Sequence, residues 1–175
     1  MEEGFFKLKG KTLVIIDWAN VYGWFKKLKW EINPQKLYDY LKSYPEIFDI
    51  RFYFGVERGN RKSEEFQKQI KDIGYNLISK QVKWVPDGPT YRRKCDFDVE
   101  ITKDVLLNIN NFNVLILFSG DGDYKVIIEY LLDNKKQAIV VHPFGLRGRE
   151  YNELLSRDRN RPYLCAVEKL TLFLK

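Results

Sequence analysis

The stretch "VLILFSGDGDYKVIIEYLLD", residues 114–133, decides how this chain can fold. Its first five residues, Val114–Phe118, form an unbroken apolar run that is typical of a strand buried on both faces. The turn SGDGD follows, and apolar residues then recur at helical spacing from Tyr124 to Asp133. Glycines between a strand and a helix commonly bind phosphate, yet this turn carries Asp121 and Asp123, and bare carboxylates repel phosphate.

The same alternation of strand and helix patterns extends along the rest of the chain. Four further strands are predicted, at Thr12–Ile16, Ile50–Phe54, Tyr75–Val82 and Ala138–His142. Helices are predicted at Pro34–Tyr44, at Arg61–Ile73 with Gly74 as its C-terminal cap, at Asp98–Asn108 and at Tyr151–Leu155, whereas WVPDGPTYRRK reads as a loop. This order predicts an α/β fold in which helices cover both faces of a five-stranded, mainly parallel sheet.

Length and composition favour one ordinary globular domain. The chain has 175 residues, of which 45% are hydrophobic and 31% charged. It has no apolar run long enough to span a membrane and no signal-peptide pattern at MEEGFFKLKGK. Cys95, Cys165 and the single histidine are too few for a disulfide framework or a zinc site, so we expect reduced thiols and a cytoplasmic location.

The positive charge of the chain is concentrated in two runs. The formal net charge is +6. One run, within residues 80–94, contains Lys80, Lys83, Arg92, Arg93 and Lys94, and the other, within 147–161, contains Arg147, Arg149, Arg157, Arg159 and Arg161. Either run could be ordinary solvated charge, but together they suit an anionic partner such as RNA.

Acidic residues follow the predicted strands or open the predicted helices at three places. They are Asp17, with Asn20 three residues later; the set Asp96, Asp98, Glu100 and Asp104; and the pair Asp121 and Asp123. If Thr12–Ile16 and Val114–Phe118 are neighbours, their backbones lie about 5 Å apart and the carboxylates that follow them converge. Such a cluster would be stabilised by Mg²⁺ or Mn²⁺, although each aspartate alone could simply cap a helix.

Three segments together resemble a known family. The segments "LVIIDWANVY", "KCDFDVEITKDVL" and "VLILFSGDGDYKVIIEYLLDNKKQAIVVHPFG" are similar to the NYN-domain family of PIN-like ribonucleases, from about Thr12 to Gly145. The resemblance implies a three-layer PIN-like sandwich in which acidic residues hold Mg²⁺ or Mn²⁺ for RNA cleavage. We therefore expect residues 1–175 to be a single NYN domain, best matched over 12–145, with a basic C-terminal extension at 146–175.

The resemblance also implies a role for each matched residue. The predicted catalytic residues are Asp17, Asn20, Asp98, Asp121 and Asp123, and Asp17, Asp98 and Asp121 are the predicted metal ligands. Asp98 is matched because it stands six residues before Asp104, as in the family pattern. Asp96 remains an alternative, since here Cys95 follows Lys94 where the family usually has glycine.

Substrate contacts and competing functions follow from the same residues. Arg92, Arg93, Lys94, Arg147 and Arg149 are predicted to bind the RNA backbone, and Tyr22, Trp24 or Tyr91 could stack on bases, although core packing is the more common role of an aromatic ring. Relatives of this kind commonly form homodimers. The main alternative is a non-catalytic RNA- or protein-binding module on the same fold. A phosphohydrolase that uses Asp17 as its nucleophile ranks third, because Asp17-Trp18-Ala19-Asn20 lacks the usual D-x-D pair.

Overall fold

The computed structural model describes residues 5–175 and has a central sheet of six parallel strands. These are β1 (Thr12–Asp17), β2 (Ile47–Val56), β3 (Asn76–Gln81), β6 (Val114–Phe118), β7 (Gln137–His142) and β8 (Tyr163–Ala166). A separate hairpin consists of β4 (Lys83–Asp87) and β5 (Thr90–Lys94). The predicted α/β fold with a mainly parallel sheet is confirmed.

Helices cover both faces of this sheet. They are α1 (Trp18–Gly23), α2 (Phe25–Leu28), α3 (Pro34–Lys42), α4 (Arg61–Ile73), α5 (Asp98–Leu107), α6 (Lys125–Asp133), α7 (Tyr151–Leu155) and α8 (Thr171–Leu174), with 3₁₀ turns at Ile109–Asn111, Gly122–Tyr124 and Val167–Leu170. The predicted helix ends agree closely. Gly74 ends α4 with a left-handed φ of 111°, a conformation that glycine adopts without steric cost.

Alternate side chains of β1 enter two separate hydrophobic cores, one on each face of the sheet. Leu13 and Ile15 pack against residues of α5, α6 and α7. Val14 and Ile16 pack against residues of α1, α3, α4 and α8. All four side chains are fully buried, which explains why the strand reads as a continuous apolar run rather than as an alternating one.

Strand order places β1 beside β6 and creates a crevice between the segments that follow them. The order across the sheet is β3-β2-β1-β6-β7-β8. Strands β2 and β3 therefore lie on one side of β1, and β6, β7 and β8 lie on the other side. Ile16 pairs with Phe118 in a parallel register, so the condition on which the expected carboxylate cluster depended is met. In open α/β sheets, ligands bind at the carboxyl ends of the strands where the strand order reverses.

Two features of the sheet differ from the sequence prediction. The central sheet has six strands rather than five, because Tyr163–Ala166 pairs with β7. The four-residue strand is too short to stand out as an apolar run. The predicted loop WVPDGPTYRRK is instead a hairpin: Gly88, at a left-handed φ of 61°, allows a tight turn, and an isolated two-stranded ribbon accepts Pro86. No helix within residues 5–175 is long and apolar enough to cross a membrane.

Candidate active site

Asp17 ends β1 and is the buried carboxylate at the centre of the candidate site. It is only 7% exposed. Its Oδ1 accepts a hydrogen bond from the backbone N–H of Asn20 (3.4 Å), and its Oδ2 accepts from the hydroxyls of Ser119 and Tyr124, both at 3.3 Å. Asp17 therefore caps α1, and it also joins the end of β1 to the segment that follows β6.

Burial makes Asp17 difficult to ionise. Desolvation raises the pKa of its carboxyl from 3.8 to about 6; the hydrogen bond from Asn20 opposes this shift, and the nearby charge of Asp98 adds to it. Its two oxygens receive hydrogen bonds only from a backbone N–H and from hydroxyls, which are neutral donors. A carboxylate in this environment gains strongly from a nearby cation.

The hydroxyl of Tyr124 lies close to the carboxylates of both Asp17 and Asp98. Its ring is fully buried, and burial together with these two carboxylates raises the pKa of its hydroxyl, so it remains a proton donor. Desolvation raises the pKa of Asp98, the nearby hydroxyl of Tyr124 lowers it, and the charges of Asp121 and Asp123 raise it again. Asp17, Asp98 and the SGDGD turn therefore share one electrostatic environment. Tyr124 could not be recognised as a site residue from the sequence, because a buried tyrosine has no distinguishing local pattern.

The two aspartates of the SGDGD turn have different roles. Asp121 Oδ1 accepts from the backbone N–H of Asp123 at 3.0 Å and so caps the 3₁₀ turn Gly122–Tyr124. Its backbone carbonyl accepts from the hydroxyl of Tyr151 at 2.8 Å, which fixes the turn against α7. Asp123 is exposed and does not act as the cap. The alternative that one of these residues caps the helical segment therefore holds for Asp121.

The glycines of this turn are required by a second loop that lies directly on it. The β7–α7 loop is held by a hydrogen bond from Gly148 N–H to Gly120 carbonyl oxygen at 2.8 Å. A Cβ at Gly120 would lie 2.2 Å from the carbonyl oxygen of Leu146, and one at Gly122 would lie 1.9 Å from Oε2 of Glu150. Neither Gly120 nor Gly122 has a positive φ. At Gly120, close approach of the Leu146 backbone rather than a sharp turn thus excludes other residues, whereas at Gly122 the crowding comes from the side chain of Glu150.

Glu150 is a further acid beside the turn, and no sequence pattern marks it as a site residue. Its carboxylate lies against Gly122 and Gly148. In the sequence it is one acid within an arginine-rich run, so only the folding of the β7–α7 loop brings it to the site.

Asn20 holds the crevice together rather than pointing freely into it. Its Oδ1 accepts from Gly120 N–H at 3.0 Å and from the indole N–H of Trp24 at 2.8 Å. These bonds connect α1 to the SGDGD turn. Asn20 therefore positions the turn that carries Asp121 and Asp123.

Of the other acids in the middle segment, Asp104 lies away from the crevice. It forms an ion pair with Arg51 at 2.5 Å and accepts a hydrogen bond from Tyr53, which fastens α5 to β2. Asp96, the alternative to Asp98, is exposed and lies 3.5 Å from Lys94. Glu100 pairs with Lys80 at 2.5 Å. These pairings leave Asp98 as the member of the segment whose carboxyl faces the other site aspartates.

The carboxylate oxygens of the site are ligands of the type that a divalent cation prefers, but they lie too far apart to coordinate one ion together. Within residues 5–175, no three His, Cys, Asp or Glu side chains lie close enough together to hold a metal ion. In the same part of the chain, no lysine or arginine lies within ion-pair distance of Asp17, Asp98, Asp121 or Asp123. Oxygen donors without a cationic partner suit Mg²⁺ or Mn²⁺.

The predicted substrate-binding residues lie on two elements that flank the crevice. Arg92, Arg93 and Lys94 are exposed on β5, where Arg93 lies 3.7 Å from Glu57. Arg147 and Arg149 lie in the β7–α7 loop that contacts the SGDGD turn. By contrast, Arg157 forms ion pairs with Glu129 and Asp133 on α6, so its charge is used within the fold.

His142 and Cys95 have no catalytic arrangement. His142 is buried at the end of β7, where its Nδ1 bonds the carbonyl oxygen of Pro143 and burial lowers its pKa. Burial raises the pKa of the Cys95 thiol, which disfavours a thiolate nucleophile.

Comparison with known proteins agrees with this architecture. The family model described as "NYN domain" matches residues 11–155. The chain is 26% identical over 151 residues to the low amplitude and bright protein LabA of Synechococcus elongatus, a match covering 84% of this chain and 81% of that protein. The crystal structure of VPA0982 from Vibrio parahaemolyticus, a protein of unknown function, superposes with a TM-score of 0.73 at 19% identity, over 97% of this chain and all of that one.

Proposed function

The chain belongs to the NYN domain family, a family of nuclease-like domains, and on that premise we propose that it is a metal-dependent endoribonuclease. The substrate is RNA, and the reaction is hydrolysis of a phosphodiester bond. The observation that supports this proposal most strongly is the position of Asp17. It is a buried carboxylate at the topological switch point, close to Asp98 and the SGDGD turn, and its oxygens receive only neutral hydrogen-bond donors.

In this proposal Asp17, Asp98 and Asp121 hold Mg²⁺ or Mn²⁺. Such an ion, when bound, polarises the phosphate and lowers the pKa of an attacking water. Ser119 and Tyr124 fix the orientation of Asp17 through their hydroxyls. Asn20 keeps α1 and the SGDGD turn at a constant separation.

The flanking basic residues complete the proposed site. Arg92, Arg93 and Lys94 on one side and Arg147 and Arg149 on the other bind the RNA backbone, because guanidinium and ammonium groups neutralise phosphate charge. Asp123, exposed beside Asp121, orients water or contacts the ion.

Replacing Asp121 tests this function. The purified protein should cut a labelled single-stranded RNA when Mg²⁺ or Mn²⁺ is added, and it should not cut after chelation. Asp121→Asn should lower the cleavage rate at least about 100-fold, since it removes a charge on which cation binding depends. Binding of Mn²⁺ itself, followed by paramagnetic resonance, should weaken in the same variant.

The control is Asp158→Asn, which removes one exposed carboxylate in the loop after α7. It should leave cleavage unchanged. Equal activity in Asp121→Asn and the unaltered protein would identify a contaminating nuclease and overturn the proposal. RNA binding without cleavage under any divalent metal would instead support a non-catalytic RNA-binding module.

A further inference from the structure

A large aromatic cavity lies beside the candidate active site. Its volume is about 730 Å³, within the usual range for small-molecule pockets. It is lined by residues of α1, α2, the start of α3, the end of β2, the start of α4, β5 and the segment that follows the hairpin. The aromatic residues among its lining side chains include Trp18, Tyr22, Trp24, Phe25, Trp30 and Phe54.

The cavity is continuous with the candidate site along the chain. Trp18 and Ala19, which line it, directly follow Asp17, and Asp96, which also lines it, stands two residues before Asp98. The end of β1 and the start of α1 therefore have the acidic crevice on one side and the aromatic cavity on the other. A ligand that filled the cavity would be adjacent to whatever occupied the crevice.

The cavity walls are held in place before any ligand arrives. The ring of Trp18 stacks on Phe66 with a centroid separation of 5.3 Å, and it contacts Phe52 at 4.9 Å. The indole N–H of Trp24 is bonded to Asn20. In contrast, Tyr22 is 59% exposed; its ring lies 5.8 Å from that of Phe25 and leaves most of its surface open to a ligand.

The polar groups of the cavity suit a neutral heterocycle and disfavour a phosphate inside it. Three acids, Glu31, Glu57 and Asp96, line it and outnumber the two cations, Lys62 and Arg93. Carboxylates accept hydrogen bonds from the amino and imino groups of nucleobases but repel phosphate. Arg93 also lies on the wall, between Arg92 and Lys94 on β5. Phosphates would therefore stay outside, along the basic strand, while a flat base enters.

We propose that this cavity binds an unpaired nucleobase of the RNA strand whose backbone crosses the acidic crevice. This inference rests on the proposed function and adds a substrate requirement to it. A base that is stacked and paired within a duplex cannot enter a cavity walled by aromatic rings, so the protein selects single-stranded or looped RNA.

Tryptophan fluorescence tests the proposal directly. The chain has four tryptophans; Trp18, Trp24 and Trp30 line the cavity, and Trp84 lies on β4. In the double variant Trp84→Phe with Asp121→Asn, all tryptophan fluorescence comes from residues that line the cavity, and RNA is not cut. A single-stranded octaribonucleotide should quench this fluorescence saturably, and its blunt duplex should need at least about ten-fold more RNA.

The matched pair Tyr22→Ala and Tyr130→Ala gives a second measurement. Tyr130 lies on α6 and is 46% exposed, outside the cavity. Tyr22→Ala should weaken single-strand binding between about 5-fold and 150-fold, as expected for loss of one stacked base, whereas Tyr130→Ala should not change it.

The possible results separate the two proposals. Quenching and a Tyr22 effect in a protein that never cleaves RNA would support the base pocket and overturn the nuclease function. Cleavage with neither quenching nor a Tyr22 effect would overturn the base pocket alone. Equal quenching by single-stranded RNA and by its duplex would also overturn it.

Discussion

Asp17 combines two properties that oppose each other in the folded protein. It ends a fully buried strand, where ionisation is unfavourable, and it is the central carboxylate of the proposed metal site. Because desolvation raises its pKa to about 6, the folded state binds this proton more tightly than the unfolded chain does. Its contribution to stability is therefore present at low pH and is lost as the pH rises through about 6.

Asp17→Asn should stabilise the metal-free protein at pH 7.5. Asparagine does not ionise, so the stability that is lost when buried Asp17 becomes charged is retained. The free energy of unfolding should therefore rise by up to about 3 kcal/mol. The gain should disappear towards pH 4, where the native carboxyl is protonated. Urea unfolding with a chelator present, across a pH series, measures it.

Asp158→Asn serves as the control, since Asp158 is exposed and its substitution should change stability by less than about 0.5 kcal/mol. A stability difference between Asp17→Asn and the unaltered protein that does not depend on pH would contradict the burial argument.

Gly120 lies where two loops meet, and it has no room for a side chain. Gly120→Ala should destabilise the fold by about 1–3 kcal/mol, because the new Cβ would lie 2.2 Å from the Leu146 carbonyl oxygen, a backbone atom that cannot rotate away. It should also displace Asp121 and lower cleavage activity. Thermal unfolding and the cleavage rate, measured on the same preparation, test both effects.

Gly23→Ala is the matched substitution at an open position. Gly23 ends α1, and a Cβ there meets no atom within 4 Å. It should be neutral or stabilise by up to about 1 kcal/mol through the higher helix propensity of alanine. Similar losses in the two variants would show that crowding at Gly120 is not the cause.

At the scale of elements, the hairpin β4–β5 carries much of the exposed positive charge near the crevice. All five residues of β5 are exposed, and the hairpin forms a separate two-stranded sheet. It extends from the end of β3 and returns to α5, so it links the basic surface to the segment that contains Asp98.

Neutralising this strand should weaken RNA binding and reduce its dependence on salt. In the triple variant Arg92→Gln, Arg93→Gln and Lys94→Gln, the slope of log affinity against log salt should fall by about 2, since each phosphate contact on a single strand contributes about 0.7. Fluorescence anisotropy of a labelled RNA over a salt series provides the measurement.

The control removes three charges near the amino-terminal ends of the strands, at the end of the sheet opposite the crevice. Lys42, Lys71 and Lys135 lie near the ends of α3, α4 and α6, where the chain enters the amino-terminal ends of strands. Their joint replacement by glutamine should leave the slope within about 0.5 of the original. Equal decreases in both triple variants would show that the binding is diffuse and does not involve the hairpin.

At the scale of the whole molecule, the C-terminal segment completes the fold on one side. Strand β8 covers the edge of β7, and Cys165, Val167, Leu170 and Leu174 are fully buried in the core on the α1 and α3 face. This segment lies beyond residue 155, where the match to the family model ends.

A chain truncated after Leu155 should therefore fold poorly. It would leave β7 with an unpaired edge and would open the core on that face, so cooperative unfolding should be lost or the midpoint strongly lowered. Calorimetry of the truncated and full chains compares them.

Two point variants check that packing is the cause. Leu174→Ala, at a fully buried position, should cost about 2–5 kcal/mol, whereas Leu172→Ala, at a position that is 93% exposed, should cost less than about 0.5. A truncated chain as stable as the full one would contradict the role of β8.

The sequence by itself determined the strands of the inner sheet and the residues that end them. Val114–Phe118 and residues 13–16 are apolar at every position because both of their faces are covered, and that property is visible without any knowledge of the partners. The carboxylates after them had to lie at the same edge of the sheet once these strands were paired, since parallel strands end at the same edge.

Only the tertiary structure decided which groups surround those carboxylates. Tyr124 beneath Asp17, Glu150 beside Gly122 and the short strand β8 depend on contacts between residues far apart in the chain. The aromatic cavity likewise gathers residues from six separate helices and strands. A local sequence pattern shows only whether the residues of that segment are buried. These arrangements arise from packing between segments, so no single segment of the sequence predicts them.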